Sequence, residues 1–138
     1  MFTSAVVKRP CSNLVNGIRS TDLGVPDFAR ACRQHDTYIA ALEACGLSVT
    51  ILAPDEGFAD SVFIEDTCLV TNECTVITRP GHPARRSETR SVAQAMVRFN
   101  RPVTEITAPG TLDAGDVMRV DHHFFVGLSD RTNAEGIG

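Results

Sequence analysis

No stretch of this 138-residue sequence approaches the roughly 18 consecutive apolar residues that a membrane-spanning helix needs. The opening Met1-Phe2-Thr3-Ser4 has neither the basic region nor the apolar run of a secretory leader. A basic stripe is missing too: 13 Lys and Arg against 17 Asp and Glu leave a formal charge of -4, with nothing to neutralise a row of phosphates. Membrane and nucleic acid are thereby set aside as partners, and a cytoplasmic protein with a small, cationic ligand is expected. Zinc-type cysteine pairs are also lacking. The five cysteines, Cys11, Cys32, Cys45, Cys68 and Cys74, include no CxxC pair, and none stands near a His at ligand spacing. No metal is expected, and a disulfide scaffold would need an oxidising compartment that nothing else suggests. Cys32 and Cys45 fall in a helix-like pattern and Cys68 and Cys74 in strand-like runs, where a free thiol behaves as a small buried hydrophobe.

What is present is a composition of 43% hydrophobic and 22% charged residues, enough to bury one globular core. Strands alternate with helices. Ser4 to Lys8 reads as a first strand, followed by a loop with turn residues at Asn13, Asn16-Gly17 and Ser20-Thr21, long enough to act as a flap. Asp27 after Pro26 is an N-cap, and Phe28, Ala31, Cys32, His35, Ile39, Leu42 and Cys45 recur at helical spacing until Gly46 stops the run. Ser48 to Leu52 is the next strand. Ser61 to Thr71 and Thr75 to Thr78 are expected as two more, joined at Asn72-Glu73, before a second helix from about Ser87 to Phe99.

A repeat then emerges. Val49-Thr50-Ile51-Leu52-Ala53-Pro54 returns as Val103-Thr104-Glu105-Ile106-Thr107-Ala108-Pro109, and the same parts follow each copy. After the first come Asp60, Glu65 and Asp66, a hairpin around Asn72, then Gly81 and Arg85. After the second come Asp113 and Asp116, a hairpin around Asp121-His122, then Gly127 and Arg131. A duplicated unit of strands and one helix suggests modules arranged about an axis, with equivalent positions converging at the centre.

The chemistry concentrates in Phe58-Ala59-Asp60-Ser61-Val62-Phe63-Ile64-Glu65-Asp66, where carboxylates interleave with apolar residues at the expected edge of a strand. Carboxylates so placed need a cationic partner, and a guanidinium, a planar fork of five donors, matches them bidentately. Composition leaves a second reading open: Glu65 and Asp66 pair with the chain's own arginines or cap a turn. The four histidines are read as structural, with His35 satisfied on the apolar face of the first helix and His82, His122 and His123 at turns.

Four segments carry a resemblance. Phe63-Ile64-Glu65-Asp66, Ile77-Thr78-Arg79-Pro80-Gly81, Ala108-Pro109-Gly110-Thr111-Leu112-Asp113-Ala114-Gly115-Asp116 and Arg131-Thr132-Asn133-Ala134-Glu135-Gly136 closely resemble, in order and spacing, the dimethylarginine dimethylaminohydrolases. The resemblance runs over essentially the whole chain. It implies an α/β pentein fold, a five-bladed propeller of ββαβ modules with the substrate at its centre, of which residues 1–138 would be a single partial domain, about the first half. Asp66 then resembles the carboxylate that binds the substrate guanidinium, with Asp60 and Glu65 beside it. Arg85 and Arg131 resemble the pair that hold the amino-acid end, Ile18 resembles an apolar lid residue, and Asp113 resembles the acid that supports the catalytic histidine.

The same resemblance implies hydrolysis of methylated arginine to citrulline and dimethylamine by thiolate attack, with a histidine acid and no cofactor. It places that histidine and cysteine in later modules, so none of the chain's His or Cys residues takes either role. Asn133-Ala134-Glu135 opens a helix that Gly136-Ile137-Gly138 does not continue, and a helix so short is marginal in water, so a truncation within a helix is expected. The uncovered sheet edges lead to a homo-oligomer, or to a partner that completes the fold. An arginine deiminase-like enzyme and an inactive guanidinium-binding module are the alternatives.

Overall fold

The computed structural model describes residues 2–138. The chain divides into two compact units, Met1–Phe63 and Ile64–Gly138. In the first, strand β1 (Ser4–Lys8) and strand β2 (Ser48–Leu52) pair in parallel, with Val7 opposite Ile51. Parallel neighbours require a crossover, and helix α1 (Phe28–Ala44) supplies it. The Asp27 carboxylate accepts the Arg30 N–H at 2.9 Å, so the expected N-cap forms. Gly46, at φ +83°, takes the left-handed turn that ends the helix. The middle of the expected stripe forms: Ile39 is buried and Ala31, Cys32, His35 and Leu42 are half-buried, while Arg33, Gln34 and Tyr38 face out, and its two ends, Phe28 and Cys45, are exposed. Val7, Cys11 and Ile39 form the small core here.

The second unit holds a complete ββαβ module. Strands β3 (Cys68–Val70) and β4 (Thr75–Ile77) form an antiparallel hairpin, and β5 (Val103–Glu105) joins β4 in parallel. Between β4 and β5 runs α2 (Thr89–Met96), extended by a 3-10 turn at Val97–Phe99 and preceded by another at Pro83–Arg85. Val92 and Met96 of α2 are buried, with Ile77, Leu112 and Ala114. The next module opens with the hairpin β6 (Val117–Val120) and β7 (His123–Val126), turned at Asp121, and then the short helix α3 (Ala134–Ile137). The sequence repeat is thus a structural one: a 3-10 turn bearing an acid leads into each hairpin, Ile64–Thr67 before β3 and Ala114–Asp116 before β6.

Four expectations need correction. Ser61 to Thr67 is not strand. Ser61 donates to the Phe58 carbonyl and Phe63 to the Asp60 carbonyl, and the Thr67 hydroxyl bonds the Ile64 carbonyl at 2.7 Å, so local turn bonds win over pairing until Cys68. Among the cysteines, all free, Cys11 is the buried one; Cys45 is exposed at the end of α1, and Cys32, Cys68 and Cys74 are half-buried. His35 is not fully satisfied: its Nδ1 is buried with no hydrogen-bond partner among the described residues. Burial lowers its pKa, as does the charge of Arg9. His82 Nδ1 accepts the Ala84 N–H as a turn cap, and His122 sits in the β6–β7 turn, as expected, whereas His123 begins β7. Among the described residues no helix is long and apolar enough to cross a membrane.

Replacing Asp27 with Ala removes the N-terminal side-chain cap of α1, and should cost about 1 kcal/mol of stability. Urea unfolding should show a lower midpoint at unchanged slope. An unchanged midpoint would mean that α1 does not depend on its cap.

Candidate functional site

In the first unit the loop after β1 and the segment after β2 meet. The Ser12 N–H and hydroxyl both bond the Glu56 carboxylate, which holds the Glu56 pKa below its usual value. Cys11 Sγ lies 3.5 Å from the Phe58 carbonyl oxygen. These contacts bring the two expected residues together: the Ile18 N–H donates to both oxygens of Asp60, at 3.2 and 3.1 Å. Gly17 eases this approach, since a Cβ there would stand 2.7 Å from Asp60 Oδ1 and the carboxylate would have to shift. The Ile18 side chain itself stays 37% exposed, an apolar group at the surface.

In the second unit Asp66 stands on the 3-10 turn at Ile64–Thr67, and the Thr78 hydroxyl pins its backbone carbonyl at 2.7 Å. Its Oδ1 accepts the Gly115 N–H at 3.2 Å and its Oδ2 accepts Arg85 Nη1 at 2.6 Å. A Cβ on Gly115 would come within 2.6 Å of Oδ1, so any side chain there would push the Asp66 carboxylate from this position. The reading left open from the sequence, that Asp66 pairs with an arginine of its own chain, is therefore the arrangement seen.

Arg85 is itself buried, with a side-chain exposure of 3%. Its Nε donates to both Glu88 oxygens at 3.3 and 3.2 Å, and its Nη2 to Oε2 at 3.0 Å. Burial works against its charge, but hydrogen bonds and the charges of Glu88 and Asp66 outweigh that and raise its pKa above the ordinary value. Glu88 is equally buried and was not singled out from the sequence. Its spacing of three from Arg85 at the start of a helix was the available signal. Glu65 is an exposed residue whose carboxyl is nonetheless desolvated, which pushes its pKa up; the neighbouring Asp66 charge adds to this, while a backbone hydrogen bond and Arg85 oppose it.

The second expected arginine lies on a different acid. Arg131 Nη1 donates to Asp113 Oδ2 at 3.1 Å, and Asp113 Oδ1 accepts the Gly81 N–H at 3.0 Å. Asp113 is buried, while the Arg131 side chain is 41% exposed. Asp116, in the module position of Asp66, bonds the Ser129 and Thr132 hydroxyls at 2.7 and 2.6 Å. Asn133 caps α3, accepts the Thr111 N–H at 2.8 Å and donates to the Pro109 carbonyl. The Arg131-Thr132-Asn133 run is thereby stapled to the Pro109–Asp116 loop by side chains of both motifs. Among the described residues no group of three or more His, Cys, Asp or Glu is placed to hold a metal ion.

Comparison with known proteins gives a consistent picture. The model of the eukaryotic N,N dimethylarginine dimethylhydrolase family matches residues 27–138. The N(G),N(G)-dimethylarginine dimethylaminohydrolase of Pseudomonas aeruginosa is 49% identical over 137 residues, covering 99% of this chain and 54% of the relative. Its counterpart in Streptomyces coelicolor is 38% identical over 134 residues, covering 96% and 52%. The chain spans about half the length of the curated relatives it matches. Among solved structures, a dimethylarginine dimethylaminohydrolase adduct with S-methyl-L-thiocitrulline superposes at a TM-score of 0.96 with 49% identity, over 99% of this chain and 54% of that one. The Pseudomonas aeruginosa protein complexed with citrulline gives 0.95 at 48% identity, over the same shares. AgrE with ornithine and NAD+, at 20% identity and a TM-score of 0.82 over 94% of this chain and 20% of that one, shares the fold.

Two outcomes follow from this geometry. A Cβ at Gly81 would fall 2.4 Å from the Arg131 Cα and carbonyl oxygen, so Gly81→Ala should destabilise the chain by about 2 kcal/mol or more, measured by urea unfolding; wild-type stability would contradict the close approach. Because the folded-state pKa of Glu65 is raised, the folded state holds its proton longer than the unfolded one, and stability is lost as pH rises from the ordinary Glu value through the raised one. Glu65→Gln should therefore melt higher than wild type at pH 7, with the gap closing below pH 4.5, the ordinary value. A gap that widens in acid would reverse the sign.

Proposed function

The chain belongs to the dimethylarginine dimethylaminohydrolase family and has its α/β pentein fold, and from that premise we propose that it supplies the substrate-binding part of a hydrolase converting Nω-methylated arginines to citrulline and dimethylamine. The observation that carries this reading is Asp66. Its carboxylate is anchored at Oδ1 by a backbone N–H and already takes a guanidinium N–H at Oδ2, which is the chemistry a substrate guanidinium would meet. A carboxylate held by the backbone needs no reorganisation when the ligand arrives.

The other residues divide the work. Glu65, desolvated beside Asp66, adds a second acceptor. In the first unit Ile18, whose own N–H is tied to Asp60, keeps with that acid the role that the resemblance implies. Arg85 and Arg131 would serve the amino-acid end, where a carboxylate needs cations. That role asks Arg131 to exchange its bond to Asp113 for the ligand. Asp113, buried and held by Gly81, would then support the histidine that protonates the leaving dimethylamine.

In this reading residues 1–138 form part of one pentein domain in a cytoplasmic enzyme that needs no cofactor, and the nucleophile is not one of the chain's five cysteines. A nucleophilic cysteine acts as thiolate, yet burial raises the pKa of Cys11 and pushes Cys68 up to about 11. The 138-residue chain should accordingly bind dimethylarginine but release no citrulline. Calorimetric titration of wild type and Asp66→Asn with dimethylarginine, beside a colorimetric citrulline assay, tests both parts. Loss of about tenfold or more in affinity on Asp66→Asn is expected for a charge-assisted contact. Equal binding by the two proteins, or citrulline release by the chain, would overturn the reading.

A further inference from the structure

Arg131 and Asp113 form an ion pair in which one side chain is held from several sides and the other from one. Asp113 is buried, its Oδ1 accepts the Gly81 N–H at 3.0 Å, and its own N–H donates to the Thr132 hydroxyl at 3.2 Å. The Arg131 backbone is fixed as well. Its N–H donates to the Ser129 hydroxyl at 3.0 Å, and its Cα and carbonyl oxygen lie 2.4 Å from where a Cβ on Gly81 would stand. The Arg131 guanidinium is different. Among the described residues it has one hydrogen-bond partner, Asp113 Oδ2 at 3.1 Å from Nη1, and the side chain is 41% exposed. The contact can therefore open by a swing of the Arg131 side chain, with Asp113 and both loops left in place.

We propose that Asp113 competes with the ligand's carboxylate for Arg131, so that affinity at the amino-acid end is set by the exchange of one carboxylate for another. This rests on the reading above, in which Arg131 serves that end of the ligand. A guanidinium holding both acids at once would bring two like charges close together. The ligand therefore gains the difference between two contacts rather than a whole one. A ligand without a carboxylate leaves the Arg131–Asp113 pair closed. The exchange also frees Asp113 Oδ2, the oxygen not tied to Gly81, for the histidine contact proposed for this acid. Asp113 acts on the ligand through Arg131 and is a positioning residue in this respect.

A purely structural Asp113 would weaken every ligand alike when altered. A competing Asp113, once its charge is removed, lets the carboxylate-bearing ligand bind more tightly and leaves the other unimproved. Asp113→Asn keeps an acceptor for the Gly81 N–H and removes the charge that Arg131 now meets.

The test is calorimetric titration of the 138-residue chain, wild type and Asp113→Asn, with dimethylarginine and with dimethylagmatine, its decarboxylated analogue. Dimethylarginine should bind Asp113→Asn about fivefold more tightly than wild type, as expected for removal of a half-exposed ion pair, while the analogue binds no more tightly. Weaker or unchanged binding of dimethylarginine, or an equal gain for both ligands, overturns the proposal while the binding reading stands. Should Asp113→Asn not fold, a crystal structure of the wild-type chain with dimethylarginine decides. Arg131 bonded to the ligand's carboxylate, with Asp113 Oδ2 released, supports the exchange; an Arg131–Asp113 contact left in place overturns it. Wild type that binds no dimethylarginine overturns the binding reading, and this proposal with it.

Discussion

The second unit is organised around one buried guanidinium. Arg85 stands between Glu88 and Asp66 and is ion-paired to both. A lone buried arginine, or a lone buried glutamate, would cost several kcal/mol in desolvation. Glu88 at the entry to α2 and Asp66 at the entry to β3 share that burden, and the helix and the hairpin of the module are thereby tied at their starts. The ion pair is therefore part of the fold before it is part of any site, and Asp66 is the acid of the three nearest to solvent.

Repetition does the rest of the positioning. The turn that carries Asp66 recurs as the turn that carries Asp116, and the first reaches the second through the Gly115 N–H. Gly81 and Gly136 stand where a side chain would overlap Arg131 and Thr111, so the loops leaving one module close tightly on the entry to the next. Hydroxyls complete the lock: Ser129 and Thr132 on Asp116, Thr78 on the Asp66 carbonyl. Short polar side chains and glycines, rather than bulky apolar ones, hold the acids in place.

Much of this was legible in the sequence. β1, β2, the Asp27 cap, the Gly46 stop and both hairpins follow from local rules, because capping, turn chemistry and periodicity act over a few residues. The repeat was legible for the same reason, since each module uses the same local devices. The strand expected over Ser61 to Thr67 failed where apolar and acidic residues alternate as in a strand while side-chain and turn bonds close the backbone into a 3-10 turn. The pairing of Asp66 was left open, and its partner became visible only when folding brought Arg85 across from 19 positions away. Glu88 escaped notice because its charge is read on the surface of a helix in sequence but lies buried in space.

We propose above all that Asp66 is a guanidinium-binding carboxylate, anchored by the Gly115 N–H. A crystal structure of the chain with bound dimethylarginine tests it most directly. The ligand's guanidinium is expected within hydrogen-bond distance of Asp66, with the Arg85–Glu88 contacts intact. A ligand held elsewhere, or an Asp66 bonded to Arg85 alone while the ligand's guanidinium faces solvent, would contradict it.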